Sequence, residues 1–419
     1  MNETDTRMIK TEAAPTAPSD RIPSVDVLRG IAVLGILIMN IQSFSMIEAA
    51  YINPTSFGDL TGMNQWVWIL SHILACEKFM TIFSILFGAG ILLLSDRLES
   101  KGLGTAGIHY RRTFWLIIIA LIHAYCFWYG DILFVYGLSA LLVYLFRKAS
   151  PRRLMVAGLI VIAVPSLLYL FFQSSIPYWP AEAIQSTTAT WRPGSEAVAA
   201  EVSAYRGGWV RQMDARVGAS IFHQTFLILI WYGWRVVGLM MAGMAFFKWG
   251  VLSAERTKRF YRLAALIGLG AGLPMVVWGV VRNFAESWRM EYSMFAGWQF
   301  NYWGSLFVAF GYIGLTMLLC RSTLWSGLKK LLSDVGRMAF SSYLLQTLIC
   351  TTLFYGHGFG LFGRVERTTQ ILIVFAIWIA LVIFARMWLH SFRFGPAEWL
   401  WRSLTYRKRQ PFRLERGGA

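Results

Sequence analysis

From about residue 21 onward the chain alternates long apolar runs with short polar segments. A helix needs about 20 apolar residues to cross a bilayer. Ten such runs can be placed, at 25–46, 66–94, 113–129, 132–147, 153–173, 219–247, 263–283, 301–320, 336–355 and 370–390. The second is too long for one upright helix. Its Met63–Ala75 portion is therefore expected along the membrane interface, with the true span starting near Lys78. The pattern predicts an all-α polytopic integral membrane protein of about ten transmembrane helices.

Composition strengthens that reading. The 419 residues are 56% hydrophobic and only 15% charged, with a mean hydropathy of +0.51, whereas soluble domains run nearer 25% charged. The net charge of +17 does not point to nucleic acid, because the basic residues cluster in alternate loops. Arg111/Arg112, Arg147/Lys148, Arg152/Arg153, Lys248 to Arg262, Arg321 to Arg337 and Arg402 to Arg409 fall on one side. Loops 47–65, 284–300 and 356–369 are sparse in Lys and Arg. By the positive-inside rule both termini are expected to be cytoplasmic. Residues 1–20 read as a disordered cytoplasmic tail, 21–395 as the membrane domain and 396–419 as a basic cytoplasmic tail. The long outer loop 174–218 is expected to carry an amphipathic helix over Ala197–Arg216 that covers an external opening. The first apolar run is too long for a signal-peptide core and lacks a small-residue cleavage site, so it is expected to be retained. The four cysteines lie in or beside apolar runs with no CxxC pair or Cys/His cluster, which predicts no disulfide framework and no metal site. Walker A, GxSxG and HExxH motifs are absent, which argues against ATP hydrolysis and against serine-hydrolase or zinc-protease chemistry.

A few polar residues interrupt the apolar runs. Arg29 and Asn40 lie on the first, eleven residues apart, which puts both on one stripe about 16 Å apart along the axis. Such a stripe is costly in lipid and should face protein or water-filled space. The plainer alternative is that Arg29 snorkels to the headgroups and Asn40 bonds a neighbouring helix. His123 lies near the end of the third run, and the tight turn Trp128-Tyr129-Gly130 leads to Asp131 at the start of the fourth. A carboxylate there could orient the imidazole as a general base. Alternatively, Asp131 caps the next helix and His123 bonds a neighbour. Arg235 sits deep in the sixth run and needs a carboxylate or an anionic ligand, with Glu77 and Asp131 as the main candidates. Tyr343 and Gln346, three residues apart on the ninth run, share a face with cavity-lining potential. Lys78 beside Glu77, and Tyr129 in the turn, are further cavity candidates. His357 falls in a glycine-rich outer loop where simple exposure accounts for it.

The segments D-V-L-R-G-I-A-V-L-G-I-L-I-M-N-I around Arg29 and Asn40, Lys78–Gly90, His123–Leu133, Trp234–Met244, Gly336–Thr347 and Phe394–Tyr406 together resemble the YeiB-like family of bacterial inner-membrane proteins. That family carries a domain of unknown function and is thought to be related to transmembrane acyltransferases. The resemblance implies a place in the bacterial inner membrane and favours Lys78, which lies within a family motif. It further implies an acyl-CoA donor, acetyl-CoA being the simplest, used as a co-substrate with no tightly bound cofactor. In one branch of the acyltransferases a His follows the first-helix Arg by eleven positions; here Asn40 stands at that place. On this reading His123, Asp131 and Asn40 are the catalytic candidates, and Arg29, Arg112, Arg235 and Arg337 are the donor or anion-binding ones. The expected partners are membrane lipids, a hydroxyl or amine acceptor (a sugar, lipid headgroup or small metabolite) and a second copy of the chain. The alternative is a proton-coupled carrier of small organic anions, in which Arg29 and Arg235 line the path and His123 and Asp131 relay protons.

Overall fold

The computed structural model describes residues 21–414; the expected tail 1–20 and the end of the chain, 415–419, lie outside the described residues. In chain order the helices are α1 (Pro23–Ser45), α2 (Glu48–Ile52), α3 (Gly62–Ala75), α4 (Lys78–Glu99), α5 (Ala106–Cys126) and α6 (Leu133–Val143). They continue as α7 (Pro151–Ser175), α8 (Ala181–Trp191), α9 (Ser195–Tyr205), α10 (Met213–Phe222), α11 (Gly233–Lys248) and α12 (Lys258–Ala285). The last six are α13 (Met290–Ser293), α14 (Ala296–Arg321), α15 (Ser326–Arg337), α16 (Ala339–Phe354), α17 (Arg367–Ser391) and α18 (Pro396–Tyr406). All ten apolar runs fall on helices. Among the described residues seven helical segments are long and apolar enough to cross a membrane, and Leu133–Phe146 and Ala339–Phe354 are shorter apolar helices.

Helix α1 is the centre of the bundle. Its apolar window is 67% buried within the protein, against 22% for α17 and 28% for α7, which form the periphery. Close approach of α1 to α15 depends on Gly30 and Gly336. A methyl on either would run into a backbone carbonyl of the other helix, that of Leu332 or Asp26. Two side-chain bonds then fix α1 to its remaining neighbours. Gln346 Nε2 on α16 donates to the Val33 carbonyl at 2.9 Å, and Trp378 Nε1 on α17 donates to that of Leu34 at 2.9 Å.

The long second run divides in two. The break falls at Cys76–Glu77, where Glu77 adopts φ 65°, a left-handed conformation uncommon outside glycine. Helix α3 keeps Met63, Trp66, Leu70 and Leu74 exposed along one side. Two other expectations change. Ala197–Arg216 is not one helix: α9 ends at Tyr205 and α10 starts at Met213, with Gly207 and Gly208 between them removing the side chains that would favour continuing the helix. The stretch from 396 is not a detached tail. Its α18 packs under the bundle, where the Glu398 carboxylate accepts the Phe340 and Ser341 amides at 2.8 and 3.1 Å and so caps the N-terminus of α16.

The basic loops gather at one end of the bundle. Lys248 donates to the carbonyls of Arg147 and Ala149, Arg321 to those of Ala254 and Arg256, and Trp401 to that of Arg112. This end carries the N-terminus of α1.

Candidate functional site

His123 occupies the last turn of α5, and its own carbonyl organises the chain reversal after that helix. The amides of Phe127 and Trp128 both donate to it at 3.0 Å, so the chain folds back directly. Trp128 then stacks on Phe44 of α1 with ring centroids 4.1 Å apart. Gly130 allows the close passage beneath that indole. The reversal returns Asp131 over the imidazole. His123 Nδ1 lies 2.6 Å from Asp131 Oδ2, with side-chain exposures of 4% and 0%. The second oxygen, Oδ1, accepts the Phe134 amide at 2.8 Å. Asp131 therefore caps α6 and orients His123 at once, so the two alternatives left open by the sequence coexist.

The opposite ring nitrogen is also occupied. His123 Nε2 lies 3.0 Å from Thr347 Oγ1 on α16. With the carboxylate accepting Nδ1–H, the imidazole is set in the tautomer whose Nε2 lone pair takes a proton from a hydroxyl. The order carboxylate, imidazole, hydroxyl, drawn from the turn before α6, from α5 and from α16, is an arrangement that can raise the nucleophilicity of an O–H or N–H placed at Nε2. Tyr343 flanks the ring at a centroid distance of 5.3 Å, and its hydroxyl lies 3.4 Å from the Ile132 amide.

Two cavities lie at opposite ends of α1. At the end bearing its N-terminus a cavity of about 650 Å³ is lined by Arg21, Arg29, Arg97, Lys101, Arg112, Arg337, Arg393 and Arg402, against the carboxylates of Asp26, Asp96 and Glu398. Two of those carboxylates are already engaged, Asp26 by Arg29 at 2.8 Å and Glu398 in capping α16. Burial pushes the Arg402 guanidinium down to about 10, with Arg21 and Arg97 adding to it against Tyr406 and Glu398. Burial likewise lowers Arg21, with Arg337 next in weight. Cations crowded in this way favour an anion among them. Arg112 also lies over the Trp401 ring, 4.4 Å from its centroid.

At the opposite end a cavity of about 630 Å³ is walled by Asn40 and Ser43 of α1, by α2, by the turn through Tyr129 and Asp131, and by the helices of segment 174–218. It continues onto Tyr232 along a stretch, His223–Tyr232, that is π-helical, a form that gathers at functional sites. Here a second imidazole–carboxylate contact appears, His223 Nε2 to Glu48 Oε1 at 2.9 Å, and Glu201 accepts the Glu48 amide at 2.9 Å.

The structure thus brings Arg29, Arg112 and Arg337 to one cavity, and Asn40, Tyr129 and Asp131 to the other. It places Arg235 elsewhere. That guanidinium is fully buried, 3.3 Å from Glu77 rather than against Asp131, and bonds the Tyr302 carbonyl at 3.0 Å and Ser305 at 2.7 Å. Lys78 is equally buried and donates to the His72 carbonyl and to Asn301 Oδ1, at 3.0 and 2.5 Å. Lys78, Tyr343 and Gln346 line neither cavity. Sequence reasoning passed over Thr347, Glu48, Glu201 and His223. Thr347 was the most accessible of these, since it follows Tyr343 by one helical turn on the same polar stripe.

Residues 246–408 match the family described as "Protein of unknown function (DUF418)". A relative called "Uncharacterized protein YeiB", from Escherichia coli (strain K12), is 32% identical over 392 residues, 94% of this chain and 98% of that protein. The chain belongs to the YeiB-like DUF418 family. "Uncharacterized protein YxaH" of Bacillus subtilis (strain 168) is 29% identical over 95% of this chain and 97% of its own length. An "Uncharacterized 39.9 kDa protein in amylase 3'region" of Bacillus acidopullulyticus is 25% identical over 96% and 99%. Each of these relatives matches at least 94% of this chain.

Proposed function

We propose that the protein is a membrane acyltransferase of the bacterial cytoplasmic membrane, with the basic end of the bundle facing the cytoplasm. The carrying observation is the buried chain Asp131–His123–Thr347, with Asp131 lining the carboxylate-bearing cavity and Arg112, on the same helix as His123, lining the cationic one. Acyl-CoA supplies phosphates that suit the guanidinium groups of Arg29, Arg112 and Arg337. An acceptor hydroxyl or amine takes the place of Thr347 Oγ1 at Nε2 and gives its proton to His123 as its oxygen or nitrogen bonds the thioester carbonyl carbon. The C–S bond then breaks and the leaving thiolate takes that proton from the imidazolium, which Asp131 has stabilised. Asn40, an amide that donates but is not a base, holds the acceptor or the developing oxyanion.

The test is acyl-CoA binding and thiol release by the purified protein in detergent, beside His123→Ala. Release by the wild type, with binding kept but release lost in the variant, supports the reading and assigns His123 to the chemistry. A failure to bind or turn over short and long acyl chains refutes it. That outcome would favour the second reading, a proton-coupled carrier. One observation speaks for it: the helix break at Cys76–Glu77 buries Glu77, Lys78 and Arg235 together, as discontinuous helices in transporters do.

A further inference from the structure

The cavity beside Asn40 and Asp131 has a chemical character that differs from anion handling. Among the described residues its lining includes the carboxylates of Glu48, Asp131 and Glu201 and no lysine or arginine. Arg216, the buried guanidinium of α10, is not among the lining residues and donates from Nε to the Tyr125 carbonyl at 2.8 Å. The acids do not converge as metal ligands would: among the described residues no three His, Cys, Asp or Glu side chains form such a group. The wall also carries aromatic rings among its aliphatic residues, including Trp128, Trp191, Trp231 and Trp298 together with Tyr129 and Tyr232.

A second, independent observation concerns donors. Trp128 and Trp231 are 2% and 8% exposed and both line the cavity, and the indole N–H of each has no hydrogen-bond partner among the described residues. Buried donors are seldom left so without a ligand or water to meet them. Carboxylates and aromatic faces together favour an organic cation, while unpaired N–H groups call for an oxygen acceptor on the same molecule.

We infer that this cavity binds an amino alcohol, with its ammonium between Glu48 and Glu201, its hydroxyl toward the Trp128 and Trp231 donors, and its apolar body on the aromatic wall. This deepens the acyl-transfer reading, on which it rests only for the ligand's fate as acyl acceptor. Binding needs no acyl donor, so the two can fail separately.

The test is equilibrium binding of phenylalaninol to the full chain in nanodiscs, read by tryptophan fluorescence. Three counterparts accompany it: the matching neutral diol, phenylpropylamine, which lacks the oxygen, and the anion phenyllactate. Phenylalaninol should bind at least about tenfold more tightly than each, the worth of one charge-assisted hydrogen bond or more. Glu201→Gln, which keeps the shape, should remove about tenfold of that affinity, and Trp231→Phe should reduce the advantage over phenylpropylamine. If Glu201→Gln does not fold, the ligand series on the wild type still decides. Equal binding of the diol, binding of phenyllactate, or no binding of phenylalaninol would overturn the inference. Competition by the long-chain amino alcohol sphinganine in the nanodisc would identify a lipid as the source of the amino alcohol, and its absence a free small molecule.

Discussion

Asp131→Asn separates what the carboxylate does for the fold from what it does for His123. The side chain accepts two bonds, from Phe134 N–H at 2.8 Å and against His123 Nδ1 at 2.6 Å. An amide of the same shape keeps the first by presenting its oxygen to the helix. It then turns an NH₂ toward Nδ1, which must become the acceptor. The proton moves to Nε2, which now donates to Thr347 instead of accepting from it, so no lone pair remains to take an acceptor's proton. Exchanging a buried bond to a charged group for a neutral one costs about 1–2 kcal/mol of stability. Losing the correct tautomer costs about 10⁴-fold in rate where a carboxylate orients a catalytic histidine. Thermal unfolding and thiol release from acetyl-CoA are the paired assays, with imidazole ¹⁵N shifts reporting the tautomer directly. The expected result is a folded, modestly destabilised protein whose thiol release falls by at least about a thousandfold. A variant with wild-type release, or a tautomer unchanged from wild type, would refute the assignment of His123 as an Asp131-oriented base.

Three further outcomes are expected. Burial, then the neighbouring Glu48 charge against the favourable Glu48 amide bond, raises Glu201 to about 7. Its stabilising contribution is therefore complete below the ordinary glutamate range and lost as pH rises through about 7. Unfolding temperatures measured from pH 5 to 8 should fall less steeply in Glu201→Gln than in wild type. Gly336→Ala forces a methyl into the Asp26 carbonyl and should cost about 1–3 kcal/mol by parting α1 from α15, with weaker acyl-CoA binding in an equilibrium assay, since Arg29 and Arg337 ride on those helices. Arg235→Met alone strands the buried Glu77 carboxylate and should cost about 3–5 kcal/mol. Adding Glu77→Met should restore much of the loss, read as the unfolding midpoint.

The apolar runs made the helices legible, because a bilayer leaves the backbone little choice but to satisfy its own hydrogen bonds within each run. Segment 174–218 was harder to read, since it is polar on most sides and its two-glycine break has no counterpart in hydrophobic period. The site was legible where two partners are close in sequence. His123 and Asp131 are eight residues apart across one turn, and a turn that short nearly dictates their meeting. Thr347 lies 224 residues from His123, and Glu48 175 from His223. No local pattern links such pairs, and each of those side chains has an ordinary role available to it on its own helix. Arg235 shows the converse. Its depth in an apolar run announced a partner, and Glu77 was among those named, but only the break before Lys78 explains how that carboxylate comes to be buried beside it.

The charge distribution links these parts. The two cavities share α1 as a wall yet carry opposite signs, guanidinium groups at its N-terminal end and carboxylates at the other. A molecule that served only to pass organic anions would have to move them from the first environment into the second, where each carboxylate opposes them. A transferase has no such difficulty. On the proposed reading the anionic portion of the donor stays among Arg29, Arg112 and Arg337, and only the uncharged acyl group advances toward an acceptor drawn in by Glu48 and Glu201. Asn40 fits the same division of labour. It lines the carboxylate-bearing cavity as a neutral amide, and the imidazoles near that cavity come from α5 and from the π-helical stretch instead of from α1.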